Sequence, residues 1–153
     1  FTKKILEEIE RKGVNIDYLT LHVGTGTFRP VACDDITRHK IDPEYFQIPK
    51  PTQDKISIAR QAGKRLIAVG TTTLRALESY ASGLSEGFTE LFIYPGYKFK
   101  AVDALLTNFH LPKTTLFMLV CAFAGESLIR SAYRQAIDKK YRFYSYGDSM
   151  LII

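Results

Sequence analysis

Apolar positions recur along this chain in two periods, one helical and one alternating, and the switches between them outline its elements. Thr2 can cap a first helix in which Ile5, Leu6 and Ile9 form a stripe, and Lys12-Gly13 ends it. Residues 18–23 (YLTLHV) alternate like a strand and run into Gly24-Thr25-Gly26-Thr27, a flexible loop. Residues 45–48 predict a short strand, and Pro51 opens a second helix with Ile56, Ala59 and Ala62 on one face. Gly63 closes that helix. Residues 66–69 (LIAV) predict a buried strand, and Gly70-Thr71-Thr72-Thr73 turns into a third helix. There Leu74, Leu77, Tyr80 and Ala81 are expected to face the core, with Arg75, Glu78 and Ser79 facing elsewhere. Residues 82–87 read as a loop. The stretch 91–119 then predicts two buried strands, LFIY and ALLTNF, followed by a buried helix, TLFMLVCAFAG. An amphipathic helix over 128–139 and a closing strand, RFYSY, over 142–146 complete the chain.

Helices alternating with buried strands predict an α/β fold, a layered sheet, partly parallel, with flanking helices. In such sheets ligands bind beyond the carboxyl ends of the strands. Those ends are Val23-Gly24, Val69-Gly70, Tyr94-Pro95 and Thr107-Asn108, and each leads into small, polar or turn residues. No repeat, linker or low-complexity tract interrupts the 153 residues, so one domain is expected over 1–153.

Composition narrows the class. With 46% hydrophobic and 24% charged residues the chain is globular rather than disordered. Its net charge of +5, from 21 basic and 16 acidic residues, is a moderate bias toward polyanions such as RNA. Cys33 and Cys121 are distant and form no C-x-x-C, so a reducing, cytoplasmic setting is expected, with Cys121 in the core. The longest apolar run, 116–124, falls well short of the roughly 20 residues that cross a bilayer, so no membrane partner is expected. The chain opens at Phe1, without Met and directly on a helix, as a fragment would.

The glycine-rich loop at Gly24 is not a dinucleotide fingerprint, because Arg29 stands where the third glycine belongs, and no Lys-Ser or Lys-Thr makes it a P-loop. It is either a plain turn or a backbone that approaches a ligand. Gly70 followed by three threonines after a buried strand makes an anion site at a helix start, or simply an N-cap. Arg75 and Glu78, three apart, read as a surface ion pair or as partners for an amino acid's charged ends. His22, His39 and His110 form no metal-ligand pattern, and no metal is expected. His22 and His110 stand near strand ends, where acid–base work is done, whereas His39 lies in a charged loop and is expected to be solvated. Asp103 enters an apolar strand and needs a partner, as a structural acceptor or as a tuned catalytic group. Two segments, 94–100 and 139–146, interleave basic and aromatic side chains in a way that suits single-stranded RNA, or a half-buried strand with a solvated face.

Together LHVGTGTFRPV, HKIDPEYFQIP, VGTTTLRALES, FIYPGYKF, VDALLTNFHLPKTTLFMLVCAFAG and YRFYSYGDSMLI resemble the carboxyl-terminal half of the S-adenosylmethionine:tRNA ribosyltransferase-isomerases of queuosine biosynthesis. The likeness runs in order from Phe1 to the end. It implies that the chain is the carboxyl-terminal portion of a catalytic α/β domain, with the family's additional β-barrel-like domain mostly absent. It implies transfer and isomerisation of the ribosyl moiety of S-adenosylmethionine onto 7-aminomethyl-7-deazaguanine at the tRNA wobble position. Epoxyqueuosine forms, and adenine and methionine leave. S-adenosylmethionine is then a substrate, no cofactor or metal is expected, and the partner is a tRNA; a monomer is expected.

That chemistry assigns expected roles. His22, Asp103 and His110 are the candidate acid–base residues. Gly24, Thr25, Gly26, Thr27, Arg29, Thr71, Thr72, Arg75, Glu78, Tyr94, Tyr97, Asn108 and Phe109 are the candidate substrate-binding residues. Among them Thr71, Thr72, Arg75 and Glu78 would take methionine's charged ends, and Tyr94, Tyr97 and Phe109 would stack on a base. Lys98, Lys100, Lys113 and Arg142 are candidates for tRNA phosphates. Two other readings stand beside this one: an S-adenosylmethionine-dependent RNA methyltransferase, loosely suggested by Gly24-Thr25-Gly26, and a non-catalytic tRNA-binding fragment.

Overall fold

The computed structural model describes residues 1–24 and 35–153. Its helices are α1 (Lys3–Arg11), α2 (Lys50–Gln61), α3 (Thr71–Ala81), α4 (Thr115–Ala124) and α5 (Glu126–Asp138). Its strands are β1 (Thr20–Leu21), β2 (Glu44–Gln47), β3 (Ile67–Val69), β4 (Glu86–Thr89), β5 (Ala104–Asn108) and β6 (Ser149–Ile152). The fold is α/β with two three-stranded sheets. The first, in the order β1-β2-β4, is wholly antiparallel. In the second, in the order β3-β5-β6, β3 runs parallel to β5 and β6 runs against it.

Local chemistry explains most boundaries. The Thr2 hydroxyl accepts from Ile5 N at 3.3 Å and caps α1, and Thr114 does the same for Phe117 N at 3.2 Å and α4. Pro51 sits in the first turn of α2, where its missing N–H costs nothing. Gly125, at φ +88°, breaks α4 from α5, and the two helices meet at a bend of 115°. No single helix among the described residues is long and apolar enough to cross a membrane.

Three expected strands differ. Residues 91–94 form no strand, because the carbonyl of Leu91 accepts from Arg75 Nε at 2.9 Å instead of from a neighbouring strand. The strand in that region is β4, which begins inside the expected loop and pairs with β2. Residues 142–146 also form no strand. Their backbone closes a turn through Gly147 N to Tyr144 O (2.9 Å) and Asp148 N to Arg142 O (2.8 Å), with Tyr144 at φ 68°. A Cβ on Gly147 would stand 2.4 Å from the Arg142 carbonyl oxygen, so only glycine fits there. β3 is buried on one face only: Ala68 is sealed against the helices, while Ile67 and Val69 are nearly half exposed on the other.

The core gathers Ala68 and Leu105 with Leu74 and Leu77 of α3, Leu119 and Val120 of α4, and Ile129 and Tyr133 of α5. Helix α3 lies between the sheets, touching β3 and β5 on one side and β1 and β4 on the other. That position overturns the expectation that Arg75, Glu78 and Ser79 face away from the interior. All three are buried, since a helix between two layers has no outward face. The Glu78 carboxylate, fully sealed, accepts from the backbone N–H groups of Lys100 (2.9 Å), Ala101 (2.9 Å) and Val102 (3.1 Å) and from the Tyr97 hydroxyl (3.1 Å). It thereby holds the segment that feeds β5. Ser79 shares a hydrogen bond of 2.7 Å with Thr89 at the end of β4.

Arg75 joins the sheets. Its guanidinium pairs with Glu44 of β2, and both side chains are almost wholly buried. Glu44 Oε1 in turn accepts from Gly24 N at 2.8 Å, which fixes the chain just beyond β1. Removing one member of such a pair leaves an uncompensated charge in the interior. Arg75→Met is therefore expected to cost about 3–5 kcal/mol in urea unfolding. Adding Glu44→Gln, which keeps an acceptor for Gly24, is expected to recover at least about 1 kcal/mol of that loss. Strictly additive losses would contradict the pairing.

Candidate active site

The parallel strands β3 and β5 end side by side. Gly70 N donates to Leu106 O at 2.8 Å, so the start of α3 stands next to Thr107 and Asn108. Gly70, at φ +91°, is the N-cap of α3 and supplies no side-chain cap, which leaves the first-turn N–H groups facing outward. Asn108 Nδ2 reaches the carbonyls of Gly147 (3.4 Å) and Asp148 (3.3 Å), and Tyr144 N donates to Phe109 O at 3.2 Å. These bonds fold the 142–148 turn over the same end of the sheet. His110 follows. Its Nε2 lies 2.9 Å from Thr107 Oγ1, and its backbone N–H donates to the Tyr133 hydroxyl at 2.8 Å. Burial pushes the His110 imidazole down to about 4, so it is neutral at ordinary pH. The Tyr133 phenol is pushed up to about 12, again chiefly by burial.

Thr71, Thr72, Asn108 and His110 are thus brought together. Gly24 is drawn toward the same helix through Glu44 and Arg75. His22 is exposed at the end of β1, its backbone N–H donating to Tyr45 O at 2.8 Å and its ring 5.8 Å from the Tyr45 ring. Thr25, Gly26, Thr27 and Arg29 lie outside the described residues, as does Cys33.

Other expected site residues are placed elsewhere. Asp103 precedes β5, at the opposite end from His110, and is a structural acceptor: it takes Leu66 N at 2.7 Å and Arg60 Nη1 at 3.2 Å. It borders a cavity of about 370 Å³ lined mainly by apolar side chains, among them Phe99, Phe123, Leu128 and Ile152, away from the carboxyl ends of β3 and β5. Arg75 and Glu78 form no surface pair, since each is buried against a different partner. Phe109 cannot stack on a base, because its ring is buried in a cluster with Tyr133, Tyr141 and Phe143. The Tyr97 hydroxyl is spent on Glu78, and burial with that carboxylate beside it pushes the phenol up to about 12. Tyr94 is half-buried against Phe92. His39 is half-buried rather than solvated, with its ring edge-on to Phe92 at 5.1 Å. Lys98 and Lys100 belong to the segment before β5, whereas Lys113 and Arg142 lie near the His110 end, with Arg142 also paired to Asp148 at 3.2 Å. Cys121 is buried, as expected.

The family model described as "Queuosine biosynthesis protein" matches residues 1–152. The chain belongs to this family. It is 60% identical, over its whole length, to the S-adenosylmethionine:tRNA ribosyltransferase-isomerase of Sulfurihydrogenibium sp. (strain YO3AOP1) and 54% identical to that of Aquifex aeolicus (strain VF5). In each case it covers 46% of the relative, so it spans about half the length of the curated relatives it matches. The crystal structure of S-adenosylmethionine tRNA ribosyltransferase from Thermotoga maritima superposes with a TM-score of 0.83 at 43% identity, covering all of this chain and 50% of that one.

In this queuosine-family chain the residues that sequence reasoning missed are Glu44, Thr107 and Tyr133. Glu44 carried a signal, because the alternation of β2 sets it on the inner face with Phe46. Thr107 and Tyr133 carried none, since their link to His110 depends on how β5 and α5 pack. The low His110 pKa has a stability consequence. An unfolded His takes up a proton near its ordinary 6.5, whereas the folded one does so only near 4, so protons favour the unfolded chain between those values. His110 therefore contributes stability above about pH 6.5 that fades as the pH falls toward 4, by about 3 kcal/mol in all. Urea unfolding across that range is expected to show this loss in the wild type, and His110→Gln is expected to flatten it.

Proposed function

We propose that the protein carries part of the active site of an S-adenosylmethionine:tRNA ribosyltransferase-isomerase and, with it, the transfer and isomerisation of the ribosyl moiety onto 7-aminomethyl-7-deazaguanine at the tRNA wobble position. One observation supports this above others: the family match extends over residues 1–152, and the relatives named for that reaction match the whole chain. S-adenosylmethionine serves as substrate, the products are epoxyqueuosine, adenine and methionine, and the reaction calls on no metal. The setting is cytoplasmic, where tRNA is modified.

The geometry supports a set of roles. The outward N–H groups of Thr71 and Thr72 suit the methionine carboxylate. The sulfonium acidifies the neighbouring ribose carbon. Loss of that proton, departure of adenine, attack by the tRNA amine and epoxide closure with loss of methionine then need a base and an acid within hydrogen-bond reach. His22 and His110 are the imidazoles at strand carboxyl ends available to the proton-transfer and hydrogen-bonding steps, and Asp103 is set aside because it stands at the other end with its oxygens engaged. Lys113 and Arg142 share that end of the sheet, which favours them over Lys98 and Lys100 as partners for tRNA phosphates.

The test incubates the protein with S-adenosylmethionine and a tRNA bearing the precursor base, alone and together with the remaining half of a relative's chain. Free adenine and methionine are expected in at least one arm. S-adenosylhomocysteine in their place would indicate a methyltransferase, and tRNA binding without consumption of S-adenosylmethionine would indicate a binding module. Either result overturns the proposal.

A further inference from the structure

Thr107 is 5% exposed, and the His110 ring is the one partner its hydroxyl has among the described residues. That constraint decides which way the hydrogen bond runs. If His110 Nε2 carried the proton and donated it, the Thr107 hydroxyl hydrogen would be left buried with no acceptor. An orphaned buried donor costs about 1–3 kcal/mol. If Thr107 donates, its hydrogen is satisfied, Nε2 accepts, and the ring's single proton sits on Nδ1. Nδ1 itself makes no hydrogen bond within the described residues and is not among the sealed polar atoms that lack one, so it opens to solvent at the strand end. Tyr133 secures the arrangement from behind: its hydroxyl accepts from the His110 backbone N–H, and its ring packs edge-on to Phe109 at 5.3 Å and to Phe117 at 5.1 Å.

We infer that Thr107 is a positioning residue that locks His110 as its neutral Nδ1–H tautomer, presented to the site as a hydrogen-bond donor and not as a base, while Tyr133 holds the backbone that carries the ring. The role rests on the reaction proposed above. As the bond between ribose and adenine breaks, its electron pair passes to the purine, and the Nδ1–H group donates a hydrogen bond to the nitrogen that gains charge. The proton stays on His110, and adenine takes its own from water. The low basicity of the buried ring keeps this donor in one neutral form at working pH, already aimed where charge develops. The base that removes the ribose proton is then a different group, and exposed His22 at the end of β1 is the candidate.

Nitrogen-15 NMR of histidine-labelled protein at neutral pH reads the tautomer without any substrate, and so tests the inference separately from the proposed reaction. A protonated Nδ1 and an unprotonated Nε2 are expected for His110, with Thr107→Val returning the ring to a mixture. An Nε2–H ring or an imidazolium in the wild type would overturn the inference. In the adenine-release assay, His110→Asn places an amide N–H near the Nδ1 position, whereas His110→Gln places one near Nε2. The Gln variant is expected to lose about 10²-fold in kcat, in the range for removing one preorganised donor, and the Asn variant about tenfold less than that. Equal losses in the two would overturn the donor role. Loss of adenine release in the wild type itself would sink the reaction while leaving the NMR result standing.

Discussion

A charged pair buried between two sheets constrains everything around it. Glu44 and Arg75 are both almost fully removed from water, and neither is tolerable there without the other. Satisfying them requires β2 and α3 to approach in one register. It also draws in Gly24 through Glu44 and Leu91 through Arg75. The consequence is visible in the backbone: the carbonyl of Leu91 serves a side chain, so residues 91–94 run as irregular chain although their composition favours a strand. Glu78, one turn further along α3, repeats the device by collecting three backbone N–H groups ahead of β5. Two carboxylates thus set the position of α3 relative to both sheets. The start of α3, with its outward N–H groups, is thereby placed beside the ends of β3 and β5.

This arrangement separates the two ends of the second sheet. At one end are Gly70, Thr71, Asn108, His110 and the 142–148 turn, small or polar groups around a helix start. At the other are Asp103, Arg60 and an apolar cavity, where the carboxylate is held by a backbone N–H and a guanidinium. The division accounts for why residues equally polar in sequence differ in role. Asp103 and Glu78 hold backbone in place, whereas His110 keeps one ring nitrogen open. The same division splits the basic residues, so that Lys113 and Arg142, and not Lys98 and Lys100, share an end with the candidate site.

Much of this was legible in the chain. The Thr2 cap, Pro51 and the apolar runs of TLFMLVCAFAG and ALLTNF each specify an element through local chemistry, and each element formed. The strand-end rule led to Gly70 and His110 because it depends only on the order of strands and helices. What could not be read was long-range. RFYSY has the composition of a strand, yet Asp148 and Gly147 close it into a turn through bonds that periodicity does not encode. Phe109 looked like a stacking surface, but three aromatic residues from distant segments, Tyr133, Tyr141 and Phe143, enclose it. Arg75 and Glu78 looked like a surface pair by spacing, but Glu44 of the β1-β2-β4 sheet encloses Arg75 and the segment ahead of β5 encloses Glu78.

On the proposed function, substrate is held where α3 begins and β5 ends. Titrating labelled protein with S-adenosylmethionine and following backbone amide shifts by NMR tests it most directly. The amides of Thr71, Thr72, Asn108 and His110 are expected to move first and furthest, while those of Leu66, Ala101 and Asp103 stay still. Shifts concentrated around Asp103, Phe99 and Leu128, with the α3 start unmoved, would contradict it.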